Sequence, residues 1–266
     1  MKNRLPHRAL TLLAVITVAL SLALALPGCD SAPITERRQL IVLSEAQERA
    51  MGREAARDIL ATQKLSRNRG QVEAVERVGR RIAAVSGEKN MDWQFHVIDN
   101  DAVPNAFCLP GGQIFVYSGL FKYARTEDQL ATVIAHEVAH AMARHGAERA
   151  TMELAAQLGG AVLGMALSEE DPRLAQIAQQ VYGYGAQLGA MLPYSRKQES
   201  EADKIGLHLM AKVGYDLNAA VAFWENMKKN PQSPKTHAFL STHPTDEKRI
   251  ERIRKDIEEI RSGGST

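Results

Sequence analysis

The chain has 266 residues, with 33 lysines and arginines against 31 acidic residues and a formal net charge of +2. Three of those cations, Lys2, Arg4 and Arg8, precede an uncharged run from Ala9 to Leu26, so the rest of the chain is slightly acidic. With only 2 Trp, 6 Tyr and 6 Phe and no basic excess, it lacks the charge and stacking surface that nucleic-acid binding requires.

The first residues read as the cationic n-region and apolar h-region of an export signal. Leu26-Pro27-Gly28-Cys29 resembles a bacterial lipobox, in which Cys29 would be acylated and become the mature N-terminus; Pro27 departs from the usual pattern. The alternative is an uncleaved membrane anchor, for which the apolar run is just long enough. The expected division is a signal peptide over 1–28, a tether over 29–43 and a single domain over 44–266. Cys108 is then the one ordinary cysteine, which leaves no intramolecular disulfide framework.

A helix is expected from Ser44, with Gln47 as its capping-box partner. In a second helix, Val72, Val75, Val78, Ile82 and Val85 recur at three- and four-residue steps and form one apolar stripe. The period then changes. Trp93 to Ile98 reads as a strand, and the runs Asn105–Leu109 and Gln113–Tyr117 flank a Pro110-Gly111-Gly112 turn as a hairpin. From Thr126 onward nearly everything reads helical, with two small apolar, glycine-containing patches at Leu154–Leu167 and Ala186–Leu192. The predicted class is α+β, mainly helical with a small antiparallel β-sheet.

Thr126 and Gln129 have capping-box spacing and open a helix containing His136-Glu137-Val138-Ala139-His140. Residues four apart lie one turn above each other, so both imidazoles can face one metal ion. Glu137 lies about 100° round the helix from His136, beside such an ion rather than on it. There it can accept a proton from water. A structural histidine pair is the alternative. A catalytic zinc takes three protein ligands and keeps an open position for water.

Ser195 and Gln198 start another helix, in which Glu199, Ala202, Gly206, Leu209 and Val213 share one stripe. Glu199 on a core-facing stripe needs neutralising, which a cation would do; otherwise it is a first-turn acid favoured by the helix dipole. Glu201 falls about 200° round, on a more polar face. Asp203, one turn beyond Glu199, is the natural carboxylate to orient a ligating imidazole, or else a surface acid.

The pair His136-Glu137-Val138-Ala139-His140 and Glu199-Ser200-Glu201-Ala202-Asp203 resembles the H-E-x-x-H plus E-x-x-A-D motifs of the HtpX-like and CAAX-prenyl-endopeptidase metallopeptidases. Asn105-Ala106-Phe107, Pro110-Gly111-Gly112, Ser195-Arg196 and Thr242-His243-Pro244 extend the resemblance. It implies a zincin-like fold and one zinc ion per chain on His136, His140 and Glu199, the third being the ligand of a gluzincin. It further implies Glu137 as general base and His243 as a residue that stabilises the oxyanion or caps the metal at rest. The small periplasmic lipoprotein members are the nearer match.

The function expected on this basis is zinc-dependent hydrolysis of peptide bonds in misfolded or unassembled envelope proteins, by a chain lipid-anchored to a bacterial membrane and facing the periplasm. The hairpin edge at Asn105 and Ala106 would hold substrate as an added strand. The competing expectation is a chaperone-like assembly factor with a latent or structural zinc site. Oligomeric state and the choice of inner or outer membrane stay open.

Overall fold

The computed structural model describes residues 29–152, 195–229, 237–243 and 247–263. The signal region over 1–28 and the apolar patches at 154–167 and 186–192 lie outside the described residues. Two short strands come first, β1 (Cys29–Ser31) and β2 (Arg38–Leu40), paired antiparallel. Helices α1 (Glu45–Thr62) and α2 (Arg69–Ser86) follow, then strands β3 (Gln94–Ile98), β4 (Ala106–Leu109) and β5 (Gln113–Tyr117). A 3-10 turn over Ser118–Lys122 leads to α3 (Glu127–Met142). The remaining helices are α4 (Arg196–Val213), α5 (Asn218–Lys229), α6 (His237–Thr242) and α7 (Arg249–Arg261).

The helix starts follow the expected caps. Ser44 and Gln47 form a reciprocal capping box, as do Ser195 and Gln198. At α3 the Thr126 side chain caps Gln129, but the Gln129 amide oxygen accepts from Arg125 N instead of closing the box. The α2 stripe is the one the spacing requires: Val75, Val78 and Ile82 are fully buried, each worth about 1.5–3 kcal/mol over leaving it exposed.

The α+β class holds, and the sheet is mixed. Its order is β3-β5-β4, with β4 antiparallel and β3 parallel to β5. The Pro-Gly-Gly hairpin forms as expected, but β5 inserts between β3 and β4 instead of extending a meander. Strand β4 is therefore left at an edge. The stretch expected as a tether is a packed hairpin. Ala32 and Ile41 are apolar anchors that go into the interior, and the Gln39 side chain donates to Ala143 O at the end of α3.

Helix α3 is the centre of the molecule: every residue from Gln129 to Met142 is buried. It lies against α2, α4, α5 and β4. Its approach to α4 is close because of Gly206, where an added Cβ would stand 3.2 Å from Ala135 C and His136 N. Those are backbone atoms and cannot swing aside. Gly206→Ala gains about 1 kcal/mol of helix propensity but forces the helices apart at about 1–3 kcal/mol. The expected net result is a lower urea midpoint for the metal-free protein; a higher one would show that the two helices separate freely. No described helix is long and apolar enough to cross a membrane.

Candidate metal centre

Three elements converge beside α3. α3 itself carries His136, Glu137 and His140, α4 carries Glu199 and Asp203, and His243 follows the end of α6. Donor atoms of His136, His140, Glu199 and His243 all lie within 4.8 Å of one another, and all four residues are buried. His140 Nε2 is 3.0 Å from His136 Nε2 and 3.3 Å from Glu199 Oε1. His136 Nε2 stands 3.4 Å from Glu199 Oε2. His243 Nδ1 closes the group, 3.0 Å from Glu199 Oε1 and 3.3 Å from His136 Nε2.

The other nitrogen of each ring faces outward to a partner. His136 Nδ1 is 3.0 Å from Asp203 Oδ1, His140 Nδ1 is 2.8 Å from His145 Nδ1, and His243 Nε2 is 3.3 Å from Glu137 Oε1. The Arg249 guanidinium, only 1% exposed, holds both oxygens of Asp203 at 2.7 and 2.8 Å and Glu199 Oε2 at 2.9 Å. It also lies 3.6 Å over the Trp224 ring, a stacked cation.

The electrostatics show what this cluster is suited to hold. Glu137, Glu199 and Asp203 are three buried carboxylates facing the one buried guanidinium of Arg249, so the centre is short of positive charge. Burial opposes a charged His136, yet Glu199 and Asp203 outweigh it and raise that imidazole to about 9. Burial also raises Glu199, but His243 and His136 pull it well below the usual carboxylate range. His140 is driven the other way by burial and stays neutral, the form that ligates a metal. With the imidazoles neutral, a divalent cation would balance the carboxylate charge that Arg249 leaves over, and a set of imidazoles with one carboxylate suits zinc. The residues present fit such an ion.

Glu137 stands apart from the donor cluster. It is fully buried, with His243 Nε2 3.3 Å from Oε1 and a backbone hydrogen bond from Cys108. Burial pushes its carboxyl above the usual range, against the pull of His243 and His136. Strand β4 runs along this side of α3, and Cys108, Pro110, His140 and Gly146 line a small pocket there. Asn105 sits just before the strand, where its side chain accepts from Ala106 N and lies 3.4 Å from the Thr242 hydroxyl. A cavity of about 230 Å³ lies off to one side between the N-terminal hairpin, α1 and Gly111, and none of the cluster donors lines it.

Glu201 is where the sequence reading needs correction. It is 5% exposed, not on an open polar face: its carboxylate accepts from His145, Arg37 and the Thr35 hydroxyl. The N-terminal hairpin covers that side of α4, which the helix alone could not indicate. Three further residues at the centre went unread. Arg249 had a signal, since it lies four and eight residues before Ile253 and Ile257, on the same buried face of α7. His145 had none, because the chain leaves α3 through a turn in which Arg144 takes the left-handed conformation at φ 49°. Arg37 lay in the supposed tether.

A buried His-His-Glu donor set on two packed helices, with a buried glutamate beside it and a strand edge alongside, is the arrangement of a metallopeptidase domain. Residues 70–257 match the model of Peptidase family M48, and the chain belongs to that family. It is 39% identical over 225 residues to the mitochondrial metalloendopeptidase OMA1 of Schizosaccharomyces pombe, covering 83% of this chain and 64% of that one. The human mitochondrial metalloendopeptidase OMA1 is 34% identical over 84% of this chain and 44% of its own length. The beta-barrel assembly-enhancing protease of Escherichia coli K12 is 28% identical, over 94% of this chain and 52% of that protein. The chain thus spans between 44% and 64% of these three relatives' own lengths.

Proposed function

We propose that the protein is a zinc-dependent endopeptidase of the cell envelope, acting on misfolded or unassembled proteins. The observation that carries the reading is the buried cluster of His136, His140 and Glu199 with the buried Glu137 beside it. His136, His140 and Glu199 would hold the ion. When bound, zinc supplies a Lewis acid for the peptide carbonyl and lowers the pKa of water.

The remaining chemistry belongs to the chain's own side chains. Glu137, with its raised pKa, takes a proton from the attacking water and delivers it to the leaving amine. His243 here occupies the place of a fourth donor, which a catalytic centre leaves open. Its role is to cap the site at rest; turned out of the cluster, it can donate to the developing oxyanion. Asp203 fixes the tautomer and orientation of His136. The outer edge of β4, with Asn105 and Ala106 at its start, holds the substrate backbone as an added strand.

The reading is tested by zinc content and casein cleavage of the wild-type protein beside Glu199→Ala. The wild type should carry one ion per chain after dialysis against a weak chelator, and Glu199→Ala should lose the ion and the activity while keeping its helix content. Full zinc occupancy in the variant would remove Glu199 from the ligand set.

Envelope localisation rests on the export signal and lipobox-like Cys29, together with the named role of the E. coli relative. Cys29→Ser is expected to abolish incorporation of labelled fatty acid in cells. Unchanged labelling would end the lipoprotein reading.

A further inference from the structure

We propose that Arg37 is a positioning residue for the metal centre: from the N-terminal hairpin it holds the ring of His140 through Glu201 and His145. The inference rests on the metal site described above and concerns residues that lie outside the donor cluster. Arg37 also lies outside the matched family segment of 70–257.

The chain of contacts is continuous, part-buried at Arg37 and buried from Glu201 inward. Arg37 Nε donates to Glu201 Oε2 at 2.6 Å, and its two terminal nitrogens fork onto Glu148 at 2.6 and 2.8 Å. Glu201 Oε2 is 2.9 Å from His145 Nε2, and His145 Nδ1 is 2.8 Å from His140 Nδ1. Thr35, from the same hairpin, donates its hydroxyl to the other oxygen of Glu201. Glu148 also accepts from Gln198, at the start of the helix that carries Glu199. The hairpin thereby meets both helices that supply the ligands.

Hydrogen-bond bookkeeping along this path leaves one consistent arrangement. An ionised Glu201 can only accept, so His145 Nε2 must carry the proton. In a neutral ring, His145 Nδ1 is then a lone pair, and His140 Nδ1 must be the donor between them. That places the lone pair of His140 on Nε2, the atom facing His136 and Glu199. The opposite tautomer would aim an N–H at the cluster and could not ligate a cation. Arg37 matters because Glu201 and Glu148 are both nearly buried, at 5% and 8% exposed. Without the guanidinium, two carboxylates would share a dry space uncompensated. Glu201 would then no longer be held in line with His145.

The test uses the full mature chain loaded with zinc or cobalt. Zinc affinity is read by competition with a chromophoric chelator, and ligand geometry by the visible bands of the cobalt form. Arg37→Gln and His145→Leu are each expected to weaken zinc binding by about 10–100-fold and to shift the cobalt bands. The double variant should be no weaker than His145→Leu alone, since both act through one path. Val75→Ala, a core change in α2 away from the site, controls for general loss of stability and should leave zinc affinity unchanged. If His145→Leu fails to fold, His145→Gln serves, because it can still reach Glu201 but has only carbon at the δ position.

Zinc affinity within threefold of wild type in the single variants would overturn the proposal, as would full additivity in the double variant. Equal weakening by Val75→Ala would overturn it too, by showing that the effect is one of stability. A wild-type chain that binds no zinc at all would instead overturn the metal site itself.

Discussion

Glu137→Gln is expected to lower peptide hydrolysis by about 10²–10⁴-fold with zinc content equal to the wild type. The amide keeps the size of the carboxylate but cannot take a proton from water, and Glu137 is not among the clustered donors. The metal-free variant should be at least as stable as the wild type. The substitution removes a fully buried carboxyl whose pKa burial raises in spite of the nearby His243, and its charge is costly to bury. Zinc per chain, casein cleavage and urea midpoint are measured side by side. Hydrolysis within tenfold of wild type would mean that another group acts as base.

The second large effect concerns stability. Arg249 is buried and tied to both Asp203 and Glu199. Arg249→Met keeps much of the packing on Trp224 but leaves the two carboxylates without their guanidinium. Removing one partner of a buried ionic group costs about 3–5 kcal/mol, so the metal-free variant should melt well below the wild type. Saturating zinc should return part of the loss, because a cation on Glu199 supplies some of the missing positive charge. Melting temperatures with zinc and with chelator separate the two. A metal-free variant as stable as the wild type would show that Arg249 contributes nothing net to the fold.

What was legible in the sequence was what short-range geometry determines. The caps at Ser44 and Ser195, the α2 stripe and the one-turn spacing of His136 and His140 depend on residues a few positions apart. The inward turn of Glu199, now 2% exposed, followed from its place on the Ala202–Gly206–Leu209 stripe. Glu201 was misjudged for the converse reason. A helical wheel gives direction but not what lies in that direction, and the covering hairpin is 164 residues away in the chain at Arg37. The insertion of β5 between β3 and β4 is likewise a long-range choice that strand composition does not encode. Only Arg249 carried a local signal that went unused, its four- and eight-residue offsets from Ile253 and Ile257.

If β4 holds substrate as proposed, its edge position has a consequence for what the chain can select. A peptide laid along it must present bare amide and carbonyl groups, so it must first have left any helix or sheet of its own. The strand offers four residues of backbone, Ala106 to Leu109, and backbone is common to every sequence. Discrimination then falls on the conformational equilibrium of the client rather than on its side chains. A segment that opens locally at a cost of about 4 kcal/mol is available roughly a thousandth of the time, and cleavage follows that population when reclosing is fast. A damaged or partnerless client whose opening costs nothing would be cut about a thousandfold faster at the same bond.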